Sequence, residues 1–223
     1  MIYDITPFTM TDYPDKLSAI VWFAGCNMRC IYCYNTHVVT STNKITQKEC
    51  EEFLKSRAGK LQAVVFSGGE CTLSDSFMPL LKVAKKLGFL TKVDTNGSNL
   101  ELLKEAIEER LIDYIALDFK SDKKNFKLIT NSNLYEKFKA TLLYLISINF
   151  PFEVRTTIHS DFIDEKMVSK MSKMLEELGY KGVYYLQNFL NTGDNFGCLS
   201  SPITKFDTKK INSNLKIELR NFS

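Results

Sequence analysis

The chain has 223 residues, which is enough for one large domain or two small ones. Hydrophobic residues make up 44% of it and charged residues 25%, and this balance excludes intrinsic disorder over most of its length. The 29 basic and 26 acidic side chains leave a net charge of +3, which is too small to indicate nucleic-acid binding by itself.

The sequence also carries no signal for membrane insertion or export. No stretch approaches the roughly 20 consecutive apolar residues that a membrane span requires. The first residues, MIYDITPFTM, lack the basic region and apolar core that mark a signal peptide. We therefore expect a cytoplasmic protein that has no membrane partner and keeps its thiols reduced.

Apolar segments of strand length alternate with helical patterns along the chain. Six segments predict strands: 17–23, 63–67, 90–94, 114–119, 152–158 and 183–187. Most of them are too apolar to alternate with polar residues, as expected for strands that are buried on both faces of a parallel sheet.

Helical patterns fill the intervals between these strands. Thr46 with Glu49, and Ser98 with Glu101, have the spacing of capping boxes at helix starts. Stripes of apolar residues, or long apolar runs, predict three further helices: 77–87, 135–148 and 167–178.

Repeated strand–helix units predict parallel strands that are joined by right-handed crossovers. Six units are too few for a closed eight-stranded barrel, so an α/β fold remains, either an open partial (β/α)6 barrel or a doubly wound sheet. We expect a single domain over 1–223, with its core at about 12–190 and a capping tail at 191–223.

Polar or small residues follow the end of each predicted strand. The segments are 25–35, 67–70, 94–97, 118–120, 155–159 and 187–188. Since both fold alternatives gather ligand sites beyond the carboxyl ends of their strands, we expect these segments to form one site.

Cys26, Cys30 and Cys33 form a C-x3-C-x2-C motif that predicts metal ligands in a reducing compartment. Structural zinc sites need four closed ligands, and His37 could complete a Cys3His zinc site. A 4Fe–4S cluster that is held by three cysteines keeps one iron open, and we favour it because zinc motifs usually come as two spaced pairs. Three further cysteines are scattered and are expected to be packing residues or incidental thiols: Cys50, Cys71 and Cys198.

The run GCNMRCIYC at 25–33 resembles the signature of radical S-adenosylmethionine enzymes. In that family the three cysteines hold a 4Fe–4S cluster, and the methionyl amino and carboxylate groups of S-adenosylmethionine bind the open iron. The resemblance extends to SGGE at 67–70, whose counterpart meets the methionyl amino group. Glycines let the backbone approach a ligand, and a carboxylate suits an ammonium group.

Four further motifs, FSGGE, VDTNG, LDFK and VRTT, resemble those of the glycyl-radical-enzyme activases. This resemblance implies that Asp94 and Asp118 help to shape a small cation site, that Lys120 approaches the methionyl carboxylate, and that Arg155 lies near the carboxylate or the ribose. The full set of cofactor-binding residues that the resemblance implies is Tyr32, Tyr34, Gly68, Gly69, Glu70, Asp94, Asn96, Asp118, Lys120 and Arg155. No catalytic side chain is expected beyond the cluster and the cofactor.

The activase resemblance also implies a reaction and its partners. We expect reductive cleavage of S-adenosylmethionine and removal of a hydrogen atom from a glycine of anaerobic ribonucleotide reductase. A flavodoxin or a ferredoxin-type protein would supply the electron, and no nucleic acid would take part. Two alternatives stay open: a small-molecule enzyme that resembles 7-carboxy-7-deazaguanine synthase, and a zinc-binding module without catalysis.

Overall fold

The computed structural model describes residues 1–42 and 44–222. Its strands are β1 (Ile2–Tyr13), β2 (Lys16–Phe23), β3 (Ala63–Gly68), β4 (Leu90–Thr95), β5 (Tyr114–Asp118), β6 (Phe152–Ile158), β7 (Tyr184–Asn188) and β8 (Ile217–Arg220). Its α-helices are α1 (Thr36–Thr40), α2 (Gln47–Arg57), α3 (Phe77–Lys86), α4 (Leu100–Glu108), α5 (Phe126–Thr130), α6 (Tyr135–Ser147) and α7 (Glu165–Glu177). Short 3-10 turns lie at Cys71–Leu73 and Thr208–Lys210.

The chain divides into two compact units. The first consists of Met1–Asn27, His37–Thr95 and Asn99–Ala116. The second consists of Met28–Thr36, Asn96–Ser98 and Leu117–Ser223.

The first unit is built on four strands in chain order. β1 pairs antiparallel with β2, whereas β2 with β3 and β3 with β4 are parallel pairs. Phe66 on β3 lies opposite Val21 on one side and Val93 on the other. Its ring packs with those of Phe23 and Phe77, at centroid distances of 6.0 and 6.1 Å, and all three side chains are fully buried. This apolar packing explains why β2 and β3 are mainly apolar.

The second unit contains the parallel pairs β6–β7 and β7–β8. Directly after β5, the Phe119 amide donates to the carbonyl oxygen of Arg155 on β6, at 2.9 Å. The Phe119 ring stacks on Phe138 of α6, with ring centroids 4.7 Å apart. The burial of these aromatic rings anchors α6 to this part of the sheet.

The six predicted strands correspond to β2 through β7, and helical segments follow each of them except the last. The α/β class with mostly parallel pairing is therefore confirmed. Two strands were not predicted, β1 and β8. β1 mixes polar and apolar residues and contains Pro7, so it lacks the apolar run that identified the other strands.

One of the two predicted capping boxes is confirmed and the other is wrong. At the start of α2, Glu49 N donates to Thr46 Oγ1 at 3.2 Å and Thr46 N donates to Glu49 Oε2 at 2.8 Å. Helix α4 instead begins after Asn99, and the Ser98 amide donates to the side-chain oxygen of Asn96 at 2.9 Å. Ser98 therefore belongs to an Asx turn, a local structure that competes with helix capping.

No helix among residues 1–42 and 44–222 is long and apolar enough to cross a membrane. This finding agrees with the short apolar runs of the sequence.

Arg220 of β8 makes a two-pronged ion pair with Glu153 of β6. Its Nη1 and Nη2 donate to the two carboxylate oxygens at 2.9 and 3.0 Å, and Glu153 is 1% exposed. The guanidinium carbon also lies 3.6 Å from the centre of the Tyr185 ring. A fully paired geometry of this kind is what makes a buried carboxylate tolerable.

Replacing Arg220 with Met should therefore destabilise the protein, because it removes both hydrogen bonds to a buried carboxylate. We expect the free energy of unfolding to fall by about 3 kcal/mol, as measured by urea denaturation. Lys210→Met is the control, since its ammonium lies 3.9 Å from Asp207 at the surface and should contribute nothing measurable. An equal change in both variants would contradict this assignment.

Candidate functional site

In the first unit, the turn after β3 lies directly against the end of β2. Gly69 N donates to Phe23 O at 2.8 Å, and Glu70 N donates to Gly25 O at 2.9 Å. A Cβ atom on Gly69 would lie 1.8 Å from Gly25 O, and one on Gly68 would lie 2.5 Å from Phe23 N and O. Only glycine permits this approach, so both glycines predicted as site residues are required by the backbone.

Glu70 is 1% exposed and its carboxylate is held by hydroxyl groups. Its Oε1 accepts hydrogen bonds from Thr72 Oγ1 at 2.6 Å and from Thr95 Oγ1 at 2.7 Å. These bonds fix the carboxylate between the turn after β3 and the end of β4. Such charge-assisted bonds offset part of the cost of burying the group.

Asp94 of β4 is part of a second polar group in the same unit. Its Oδ2 accepts from Ser67 Oγ at 3.0 Å, and its Oδ1 lies 2.7 Å from the ammonium of Lys92, which is 3% exposed. Lys92 is not among the site residues predicted from the sequence. The signal was present, because a lysine in a strand that is predicted to be buried on both faces must be paired.

The second unit brings together three other predicted residues. Asp118 Oδ2 lies 2.9 Å from Lys120 Nζ, and Asp118 Oδ1 lies 2.5 Å from Arg155 Nε. Burial opposes ionisation of Asp118, but the two adjacent cations outweigh it and hold the pKa of this carboxyl well below its usual range. Burial alone would lower the pKa of Lys120, but the adjacent Asp118 carboxylate has the larger effect, and the pKa of Lys120 is raised. The group therefore carries fixed charges.

The predicted tyrosines and Asn96 also belong to the second unit. Tyr32 is buried, and its hydroxyl donates to the backbone oxygen of Lys120 at 3.2 Å. Burial raises the pKa of Tyr32 well above its ordinary value, and burial also raises the pKa of Tyr34, although 39% of Tyr34 is exposed. The side chain of buried Asn96 shapes the turn to Ser98.

The part of the cysteine segment that lies in the second unit has no strand or α-helix before Thr36. Its backbone is held from α5, since Arg29 N donates to Thr130 O and Ile31 N donates to Ile129 O, both at 2.9 Å. These bonds come from residues remote in the sequence, so tertiary contacts rather than a regular element fix this loop.

The C-terminal tail holds the same loop from another direction. Gly197 N donates to Ile31 O at 2.8 Å, and the Arg29 guanidinium lies over the ring of Phe196, 5.5 Å from its centre. The hydroxyl of Thr36 donates to the carboxylate of Asp194. These tail residues were not predicted from the sequence, because nothing local marks a contact between positions so far apart.

The three motif cysteines are divided between the units, with Cys26 in the first and Cys30 and Cys33 in the second. Cys33 N donates to Cys30 O at 2.9 Å, and burial raises the pKa of the Cys33 thiol. In the part of the chain that the structure describes, no three His, Cys, Asp or Glu side chains are grouped to hold a metal ion. The ligand set therefore stays a prediction.

The other cysteines have separate environments. Burial raises the pKa of Cys50 to about 12, and burial followed by the nearby Glu70 raises the pKa of Cys71 well above its ordinary value. Cys71 Sγ lies 3.5 Å from the Asp94 carbonyl oxygen, as a thiol donor would. Cys198 is exposed.

The family model of the radical SAM superfamily matches residues 20–174. The chain belongs to the radical S-adenosylmethionine superfamily. Enzymes of this superfamily use a 4Fe–4S cluster and S-adenosylmethionine, the two cofactors that the cysteine motif and the SGGE segment predict.

Several relatives carry names that refer to activation of glycyl-radical enzymes, and two of them illustrate the similarity. A Methanocaldococcus jannaschii protein, provisionally named a glycyl-radical enzyme activating enzyme, is 32% identical over 195 residues, which are 85% of this chain and 80% of that protein. The pyruvate formate-lyase-activating enzyme of Clostridium pasteurianum is 32% identical over 142 residues, 58% of this chain and 56% of that enzyme.

A solved structure of another radical SAM protein has a similar fold. Streptococcus suis SuiB bound to S-adenosylmethionine matches 91% of this chain with a TM-score of 0.66 and 15% sequence identity. The chain spans about half, 52%, of the length of that structure. At this identity the match establishes the fold of the superfamily.

The close approach at Gly69 leads to a prediction. Gly69→Ala would place a Cβ atom 1.8 Å from Gly25 O, so the two backbones must separate. We expect the free energy of unfolding to fall by about 2 kcal/mol, as measured by urea denaturation. Gly59→Ala is the control: its Cβ atom would meet nothing within 4 Å, but the φ of +73° strains an alanine there, so we expect a loss of only about 1 kcal/mol. A variant of Gly69 as stable as the wild type would contradict the close approach.

Proposed function

We propose that this protein is an activating enzyme that cleaves S-adenosylmethionine reductively and produces a glycyl radical on anaerobic ribonucleoside-triphosphate reductase. The observation that carries the proposal is the 32% identity, over most of both chains, to the M. jannaschii protein that is provisionally named a glycyl-radical enzyme activating enzyme. The motifs FSGGE, VDTNG, LDFK and VRTT support the same class.

In this proposal Cys26, Cys30 and Cys33 hold the 4Fe–4S cluster. The donor set fits such a cluster, since three thiols lie within eight residues and leave one iron without a protein ligand. The turn at Gly68 and Gly69 also lies against Gly25, the residue before Cys26, because Glu70 N donates to Gly25 O at 2.9 Å.

The chemistry that cluster and cofactor supply when bound is one-electron cleavage of the C5′–S bond, which yields methionine and a 5′-deoxyadenosyl radical. The chain's own side chains bind and orient. Glu70 would accept a hydrogen bond from the methionyl ammonium, and Lys120 would meet the methionyl carboxylate. Arg155 would lie near the carboxylate or the ribose, and Asp118 would keep both cations in place through its ion pairs.

The remaining predicted contacts are with the nucleoside. Tyr32 would lie by the adenine, and its hydroxyl bond to Lys120 O would fix the ring's orientation. Tyr34 and Asn96 would line the same pocket. No general acid or base is needed, because the reaction transfers an electron and a hydrogen atom rather than a proton.

The proposed protein substrate is a glycine-containing loop of anaerobic ribonucleotide reductase, and the electron would come from flavodoxin or a ferredoxin-type protein. The partner's loop must leave its own enzyme to reach the deoxyadenosyl C5′ atom. Ordering that loop costs free energy, so we expect a transient complex of modest affinity.

The partner is tested directly by electron paramagnetic resonance. The reduced protein, mixed with S-adenosylmethionine and anaerobic ribonucleotide reductase, should give a doublet radical signal on the reductase that collapses when glycine is α-deuterated. Pyruvate formate-lyase is the matched control, and it should give no such signal. A radical on pyruvate formate-lyase alone would reassign the partner, and turnover of a deazapurine precursor without either radical would reassign the reaction.

The cluster ligands are tested by alanine substitution. After anaerobic reconstitution the wild type should contain about four irons per chain. The variants Cys26→Ala, Cys30→Ala and Cys33→Ala should each lack this iron and should cleave no S-adenosylmethionine. Cys50→Ala and Cys198→Ala should retain both. A zinc-loaded, colourless wild type would contradict the proposal, and so would loss of iron in Cys198→Ala as complete as in Cys30→Ala.

A further inference from the structure

Lys92 is a buried cation in the middle of strand β4. Its neighbours Thr91 and Val93 are fully buried, and Lys92 itself is 3% exposed. Across the parallel pair, Val65 of β3 lies opposite it. Burying an ammonium in such surroundings costs several kcal/mol unless a counter-charge is close, so this position indicates a specific role for the charge.

The counter-charge is the carboxylate of Asp94, two residues further along the strand. Lys92 Nζ lies 2.7 Å from Asp94 Oδ1, and Ser67 Oγ donates to Asp94 Oδ2 at 3.0 Å. Residues two apart on a strand point to the same face, so backbone geometry alone brings the two groups together. Both oxygens of Asp94 therefore have a donor from within the first unit.

The activase resemblance predicts that Asp94 helps to shape a site for a small cation. A monovalent cation and an ammonium group carry the same charge and both favour carboxylate oxygens. With Lys92 already at hydrogen-bond distance, a second cation at the same oxygen would meet like-charge repulsion in a buried place. The local charge balance at Asp94 is thus completed by the chain itself.

We propose that Lys92 is the built-in cation of the Asp94 site and takes the place of a monovalent ion from solution. This inference rests on the proposed use of S-adenosylmethionine by this chain. Its consequence is that cofactor binding needs no alkali cation, because the positive charge beside Asp94 is covalently attached.

The first test uses the wild-type protein with its reconstituted cluster. Affinity for S-adenosylmethionine is measured anaerobically by calorimetry at one ionic strength, with potassium, sodium or tetramethylammonium as the only added cation. Tetramethylammonium is too large to replace an alkali ion at a carboxylate. The expected dissociation constants agree within about twofold; a wild type that binds about tenfold more tightly in potassium or sodium would overturn the proposal.

The second test removes the charge by Lys92→Met, which keeps most of the side-chain volume. In tetramethylammonium this variant should bind S-adenosylmethionine about tenfold more weakly than the wild type, and potassium or sodium should restore most of the loss. Normal binding in tetramethylammonium would overturn the proposal. Weak binding that no alkali ion restores would overturn it too, since Lys92 would then act other than as a cation.

Lys85→Met is the matched control, because Lys85 also pairs with an aspartate, Asp113, at 2.8 Å in the same unit but is placed in no site. It should bind the cofactor like the wild type in every buffer. If Lys92→Met fails to fold, the comparison of potassium, sodium and tetramethylammonium on the wild type still decides the proposal.

The outcomes separate this inference from the proposed function. Cofactor binding without alkali ions, together with no radical on the reductase, would retain the inference and reject the proposed partner. Cofactor binding only with potassium or sodium would reject the inference alone. A reconstituted wild type that binds no S-adenosylmethionine in any buffer would overturn both.

Discussion

The close approach of two backbones, at Gly69 and at Gly25, is the constraint on which the site of the first unit depends. Two amide hydrogen bonds, from Gly69 and from Glu70, hold the turn after β3 against the end of β2. The cysteine segment starts at this contact, since Cys26 follows Gly25 directly. Any side chain at Gly69 would separate the two segments, so the glycines predicted to meet a ligand are first required by the fold.

In each unit, side chains of the protein itself supply hydrogen-bond donors or cations to the buried carboxylates. Hydroxyl groups hold Glu70, an ammonium holds Asp94, and a guanidinium with an ammonium holds Asp118. Each carboxylate has a fixed orientation before any ligand binds. Polar groups that are oriented in advance need little reorganisation when a charged ligand arrives, which is the arrangement that a cofactor with an ammonium, a carboxylate and a sulfonium requires.

The sequence could predict those features that local pattern determines. Segments of strand length, most of them apolar, located β2 through β7, and the Thr46 capping box located the start of α2, because burial and capping depend on neighbouring residues. Ser98 was wrongly predicted as a helix cap, since an Asx turn with Asn96 uses similar residues at similar spacing. Strand β8 and the contact of Glu70 with Thr95 depend on packing between distant segments, which spacing along the chain does not encode. The pair of Lys92 and Asp94, only two residues apart on one strand, could have been found from the sequence.

The C-terminal tail shows how far such packing reaches. The loop that carries Cys30 and Cys33 lacks strand and helix, so little of its order can come from local hydrogen bonds. Instead, the Ile31 carbonyl accepts from the Gly197 amide, and the Thr36 hydroxyl at the end of the loop donates to Asp194. Both partners lie far from the cysteine motif in the sequence. The geometry of this loop is therefore complete only once the tail has folded onto it, and the end of the chain takes part in shaping the segment on which the proposed chemistry depends.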